Sequence, residues 1–469
     1  MKTLPRFLAA TLLLMSPALH AATFAWDGGA GYSEDWTVAA NWLTDVAPPS
    51  DGTADIVLSG TAGLSPNANL DWNIRSLAFA GGALGFTVRG NVLTLGAGGI
   101  VNGDDSVQTV ENDIVLAASQ TFSTASTGSM AINGNINTNG RILTASAATD
   151  FITLGGAITG SGGLVATGSY SLVLTGGASN TYTGGTTIHG PILLAKTGGA
   201  VAIPGAIIVG SGAAAATLAI GFDEQIGNSS SVTVSAGSSV SLGNGVTETI
   251  GALALSGSAQ VNSGTLNVGT ISMFGGSITT GAVGKLVLSG EITAVSAGTK
   301  PSIISGNLNL GGSTRTITVV DGVAGTELEI HAAVSNGSLV KEGAGRILFD
   351  GPQNYTSLLA RAGTSDLDTA LGTGTASVSV SPITGTAIVN FHANQRLSAL
   401  TIGNGGTVTL SEPTGSFDSG AGSVPTMFAG ESAAQNVPEP TTGALILTLI
   451  AALLAGRGWK VKNGRGERI

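Results

Sequence analysis

The sequence predicts an all-β chain wound as a parallel β-helix (solenoid), flanked by two terminal segments of different character. Three observations carry this. Short stretches alternate apolar and small polar residues at period 2, then close on Gly, Asn, Asp or Pro. Ser171–Gly176 (SLVLTG), Ser231–Gly243 (SVTVSAGSSVSLG), Lys285–Val295 (KLVLSGEITAV), Arg315–Gly322 (RTITVVDG), Ala376–Ser381 (ASVSVS) and Thr407–Pro413 (TVTLSEP) are examples. The texture runs through residues 61–430 without a compositional break. Its apolar positions hold mainly Leu, Ile, Val and Ala, which suit tight coils, and its many Ser, Thr and Asn can stack in ladders between coils. At about 20 residues per coil the body would make about 20 coils. Two or more β-sandwiches in series form the competing architecture.

Composition narrows the class. Gly is 73 of 469 residues and charged residues are 10%, against a usual quarter charged. A hydrophobic share of 42% and a mean hydropathy of +0.37 separate the chain from disordered glycine-rich linkers. It has no cysteine, which excludes disulfides, thiolate metal sites and cysteine nucleophiles.

The N-terminal segment, residues 1–22, reads as a secretory signal peptide. Lys2 and Arg6 precede the apolar run Phe7–Met15, and small residues follow in Ala18–Ala22. An uncleaved anchor is the alternative, but the run is short for a span of about 20 residues. Residues 23–60 follow as a tryptophan-rich opening with Trp26, Trp36 and Trp42. Exposed, these indoles could stack on sugar rings; buried, they would cap the first coil, whose edge is otherwise open. The cap is the expected role.

Within the body, Leu164, Gly168, Leu172, Leu174 and Gly176 recur 175 residues later as Leu339, Gly343, Ile347, Phe349 and Gly351. Asn180 and Asn354 follow with a one-residue slip. Asp366–Gly372 (DLDTALG) could form one helical turn, and no internal window shows sustained helical periodicity. The two repeats, near 158–195 and 334–364, resemble the autotransporter-associated β-strand repeat. The resemblance includes Asn180–Gly190 (NTYTGGTTIHG), Lys341, Gly345 and Asp368–Val380, although Ala166 and Ser169 replace the usual Lys and Gly. It implies an extended right-handed parallel β-helix at or beyond the cell surface. The membrane β-barrel of a true autotransporter, with its many strands of about ten alternating residues, has no counterpart here.

Residues 431–469 break with the body. Val437, Pro438, Glu439 and Pro440 precede the uncharged apolar run 441–456, expected to be one transmembrane helix. The end 457–469 carries Arg457, Lys460, Lys462, Arg465 and Arg468, which by charge asymmetry stays cytoplasmic. Prolines keep the motif extended and outside the helix. This arrangement resembles the PEP-CTERM sorting signal of Gram-negative bacteria. It implies an exosortase as processing partner, transient anchoring in the inner membrane, and association with exopolysaccharide, biofilm or floc at the cell surface or in the matrix.

Chemistry is sparse. Without the basic residues of the two ends and Glu467, Thr23–Pro440 holds 11 Lys and Arg against 27 Asp and Glu, a net of −16, which argues against nucleic acid as a partner. His189, His331 and His392 stand far apart in unrelated contexts, and no G-x-S-x-G occurs. The pairs Glu34–Asp35, Asp104–Asp105 and Asp223–Glu224 lie in turn-like stretches, and neighbours on a strand point to opposite faces. Distant carboxylates could still meet on one face of a solenoid. The sequence therefore assigns no catalytic residue, cofactor or metal site. It points to an exported, non-enzymatic structural or adhesin-like protein, with a carbohydrate-binding or polysaccharide-cleaving β-helix as the alternative.

Overall fold

The computed structural model describes residues 21–211, 215–372, 375–383, 385–393 and 395–410, together with the backbone of Met427–Ala429. The chain divides between Gly227 and Asn228 into two compact units. Each is a parallel β-solenoid.

Unit 1 stacks three inward columns, one for each face of its coils. On the first, Val88, Val110, Ile132, Leu154, Leu174, Leu194 and Ile220 lie in successive register. On the second stand Trp72, Leu93, Ile114, Ile136 and Ile158. The third holds Ile56, Leu77, Ile100, Phe122, Ala145, Ala166, Ile188 and Val209. All of them are buried. The alternation read from the sequence is the physical cause: in Ile114–Leu116, Met130–Ile132 and Ile152–Leu154 only the middle residue faces outward. Each fully buried Leu, Ile or Val contributes about 1.5–3 kcal/mol, and stacking like on like lets every coil pack the same way.

Unit 2 repeats the scheme with Val232, Leu253, Ile271, Ile292, Ile317, Lys341, Ala360 and Val380 in one column. A second runs Val240, Ala259, Ile278, Ile304, Ile330, Phe349, Leu367 and Phe391. A third holds Leu266, Leu286, Leu308, Val334 and Gln353. Coil length is not uniform: register partners lie 18 residues apart at Leu253–Ile271 and 26 apart at Ile278–Ile304. Loops at the corners absorb the difference.

The repeat motif acquires a structural meaning. Leu164, Leu172 and Leu174, and their counterparts Leu339, Ile347 and Phe349, all point inward. Asn180 is buried; its Oδ1 accepts from the Ile158 amide at 2.8 Å and its Nδ2 donates to Ala202 O at 2.7 Å. One side chain thus bonds the coils on both sides. Tyr182, two residues on, is buried with its hydroxyl 2.5 Å from Thr186 Oγ1. In the second copy the buried amide is Gln353 and the buried tyrosine is Tyr355, while Asn354 is exposed. The equivalent of Asn180 is therefore Gln353 and not Asn354, because the two-residue spacing to the inward tyrosine fixes the phase of the strand.

Asp366–Gly372 forms no helical turn. Asp366 and Leu367 end the strand Gly363–Leu367, and Leu371 bridges to Gln353. Leu367 and Leu371 both face the interior because the chain turns a corner between them, which gives a four-residue apolar spacing like that of a helix. Ala39–Asn41 is a single 3₁₀ turn, and no helix among the described residues is long and apolar enough to cross a membrane.

Two repeat glycines mark where the chain cannot carry a side chain. Gly168 (φ +104°) and Gly343 (φ +77°) lie in the left-handed region, and a Cβ on either would stand 2.2 Å from the carbonyl oxygen of Ala147 or Val319. Gly60 has a similar φ of +90° but open space around it. Gly60→Ala is expected to cost about 1 kcal/mol from backbone conformation alone. Gly168→Ala and Gly343→Ala are expected to cost about 3 kcal/mol each, as the backbone of the neighbouring coil must also move. Urea unfolding of the three variants checks this ordering.

Candidate functional sites on the coil exterior

The sorting residues Val437, Pro438, Glu439 and Pro440, the apolar run 441–456 and the basic residues Arg457, Lys460, Lys462, Arg465 and Arg468 lie outside the described residues, as does the signal segment up to residue 20. The remaining candidates are all placed.

The tryptophans of the opening are interior. Trp26, Trp36 and Trp42 are at most 1% exposed and, with Trp72, meet edge to face at centroid distances of 5.2 to 5.9 Å. Trp26 Nε1 donates to Gly63 O and Trp42 Nε1 to Trp36 O, both at 2.9 Å. Strand Ala22–Trp26 already pairs with Ala54–Leu58, so the intervening loop folds back over the first coil. None of these three rings is available to a ligand. Trp36→Ala is expected to cost about 3–5 kcal/mol, read as a lower urea midpoint.

The three histidines do not share one environment. His189 Nδ1 lies 3.2 Å from Ser211 Oγ in unit 1. His331 and His392 stand on the outward side of one face of unit 2, against the expectation of unrelated contexts. Nδ1 of His331 lies 2.6 and 2.8 Å from the two carboxylate oxygens of Asp350, and Nε2 lies 3.2 Å from Glu329 Oε2. Next to it, Asp366 binds Arg346, accepts from Asn390 Nδ2 at 2.8 Å and lies 3.4 Å from His392 Nε2. Burial alone would raise the Asp366 pKa, but the Arg346 and Asn390 hydrogen bonds and the Arg346 charge hold it below the usual carboxylate value. Sequence spacing concealed this group because its members come from separate coils.

The acidic pairs sit at corners. Asp104 is buried and accepts from the amides of Gly82 and Ser106 at 2.8 and 2.7 Å. Desolvation opposes its ionisation, and these amides more than offset it. Asp105 is exposed and is held low by Ser126 and Thr127. Asp35 accepts from Asn67 Nδ2 at 2.6 Å, and Glu34 accepts from the Ser65 amide at 3.2 Å. Among the described residues, no group of three or more His, Asp or Glu is arranged to hold a metal ion. A groove of about 290 Å³ in unit 2 is lined by uncharged polar residues including Ser313, Thr314, Asn336, Asn354 and Thr356.

Two lysines are buried: Lys341, which belongs to the repeat motif, and Lys196, which no sequence pattern singled out. Lys196 and Lys341 are at most 1% exposed. Lys196 Nζ donates to Gly156 O at 3.2 Å and Thr175 O at 2.8 Å, while Lys341 Nζ donates to Gly343 O and Ala362 O at 2.8 and 2.9 Å. Lys341 occupies the position that Ala166 fills in the first repeat. Desolvation pushes both ammonium groups down to about 8. Between pH 8 and about 10.4, the unperturbed lysine value, the unfolded chain binds more protons than the folded one, so stability rises with pH there. Above about pH 10 it falls again, because burial raises the pKa of Tyr182 and Tyr355 and keeps them neutral while unfolded tyrosines ionise. Lys196→Met with Lys341→Met is expected to remove the rise. Urea midpoints across pH 7–11 check it.

No family model matches the chain, and neither the curated proteins nor the solved structures contain a match.

Proposed function

We propose that this chain is an exported, non-enzymatic structural or adhesin-like protein of the cell surface or extracellular matrix. The observation that supports it best is the distribution of side chains on the two solenoid units. Inward columns are almost wholly aliphatic, outward positions are mostly small and polar, and the described groove carries no charged side chain. Such a body is a scaffold, with its free energy invested in coil-to-coil pairing.

The terminal segments supply the route. Residues 1–22 direct export. The run 441–456 anchors the chain transiently in the inner membrane with the basic end 457–469 inside, and an exosortase processes it near Val437–Pro440. The net of −16 between Thr23 and Pro440 disfavours nucleic acid and anionic lipid as partners.

The Glu329–His331–Asp350 and Arg346–Asp366–His392 groups favour a second reading, carbohydrate cleavage. It is the weaker one: glycoside hydrolysis pairs a general acid of raised pKa with a second, ionised carboxylate, and Asp366, whose ionised form Arg346 and Asn390 stabilise, suits only the second role.

The mature surface form is expected to end close to Pro438–Pro440. Mass spectrometry of membrane, surface and secreted fractions checks this. A secreted form that retains Ile469 rules out the sorting route, and release of sugar from a glycan panel rules out the non-enzymatic assignment.

A further inference from the structure

Unit 1 carries an aromatic corner that its core does not use. Phe151 and Tyr170 are 46% and 44% exposed, and their rings meet edge to face at a centroid distance of 5.8 Å and an angle of 83°. Elsewhere in unit 1, Phe79, Phe86, Phe122 and Tyr182 are buried to fill the interior, while Tyr32 and Phe222 are exposed at other places. The two exposed rings stand on successive coils at one corner, where the chain passes from the third face to the first. Register places them there: Gln108, Met130, Ile152 and Leu172 pair in series, and Val107 and Phe151 each directly precede one of these residues. Val107, 58% exposed, stands at the same corner two coils before Phe151, with Ser129 on the coil between. Each coil step is about 4.8 Å, so Phe151 and Tyr170 stand on neighbouring coils while Val107 is two steps from Phe151.

Carboxylates occupy the same corner, Asp150 beside Phe151 and Asp105 two coils before it. Asp105 accepts from the hydroxyl of Thr127 at 2.8 Å and from that of Ser126. Asp150 Oδ1 accepts from the Phe151 amide at 2.7 Å. The corner stretches 103–107, 125–129, 148–151 and 168–171 contain no Lys or Arg. A ligand here meets two partly exposed rings set edge to face, with the Asp150 carboxylate beside Phe151.

A pyranose has the complementary surface, with an apolar C–H face that stacks on an aromatic ring and a rim of hydroxyl donors. Charge selects among polysaccharides. Uronate- or sulfate-bearing chains would face Asp150 without a cation in these corner stretches to pair with. We propose that the corner built by Phe151 and Tyr170, with Asp150 at its border, binds a neutral polysaccharide. This deepens the matrix assignment above and rests on it. Binding in solution and the location of the protein in the cell are measured separately, so one can fail without the other.

The test is affinity electrophoresis of the full-length protein through gels containing laminarin, dextran, hydroxyethyl cellulose, chitosan oligomers or alginate, followed by titration calorimetry on any hit. At least one of the three neutral polymers is expected to retard the protein, with no loss in 0.5 M salt (about 0.5 M suffices to screen surface charge). Phe151→Ala and Tyr170→Ala are each expected to weaken binding about fivefold to tenfold, and the double variant to abolish it. Phe274→Ala, which removes a 53% exposed ring in unit 2, is expected to leave binding unchanged. Unaltered urea midpoints show that the corner variants still fold. The proposal is overturned if no neutral polymer binds, if the double variant binds like the parent, if Phe274→Ala weakens binding equally, or if binding is confined to chitosan and disappears with salt.

Discussion

The structure depends on one constraint: each coil must pair in parallel register with the next while keeping the same residues inward. A parallel ladder has a side-chain period of two, so a slip of one residue would turn every inward Leu, Ile and Val to solvent. Register is therefore held at many points at once. The aliphatic columns hold it within the strands. Buried amides hold it at the corners, where backbone pairing lapses. Asn180 bonds coils on both sides, Gln225 Oε1 accepts from the Lys196 amide at 2.8 Å, and Gln395 Oε1 accepts from the Leu371 amide at 2.8 Å. A buried N–H or C=O without a partner costs about 1–3 kcal/mol, and a side-chain amide supplies both a donor and an acceptor.

The same constraint explains the glycine content and the two lysines. Where a corner must turn with positive φ against a neighbouring coil, as at Gly168 and Gly343, a Cβ would meet the carbonyl of the coil before it. Such turns also leave carbonyl oxygens pointing inward without a strand amide to meet them. The Lys341 ammonium satisfies Gly343 O and Ala362 O in this way. A lysine is an expensive donor, because its charge loses its hydration on burial. The first repeat has Ala166 at that position, so the lysine is one solution to the corner and not a requirement of the coil.

How far the sequence revealed the molecule follows from the range of each interaction. Alternation at period two is local, and it identified strands such as Leu172–Leu174 and Ser377–Val380 directly. Coil length is not local: register steps range from 18 to 27 residues in unit 2. No fixed period could therefore bring His331 beside Asp350, or Asp366 beside Arg346 and His392. The slip between the two repeats had the same origin. Matching Asn180 to Asn354 follows residue type, whereas the inward phase of Tyr355 assigns the role to Gln353. Leu367 and Leu371 show the converse error, since an apolar spacing of four arises from a corner as readily as from a helix.

This geometry decides where recognition can reside. Inward positions are fixed by packing and backbone groups by the ladder, so substitution is free only on outward positions and corners. Outward strand residues repeat along a flat face, and their neighbours are mostly Ser and Thr. Corners differ, since each is a short loop whose outermost side chain need not match the one above it. Val107, Phe151 and Tyr170 occupy such positions. An exposed aromatic there adds nothing to the interior and exposes apolar surface in a chain whose aromatic share is only 4%. Two of them in contact, on consecutive coils, bring two exposed rings together at one corner, whereas other exposed apolar residues such as Tyr32, Phe222 and Phe274 lie elsewhere. A solenoid with a uniform core can thus present a local binding surface without altering its coil, because the corner is the one part of the repeat that register leaves unspecified.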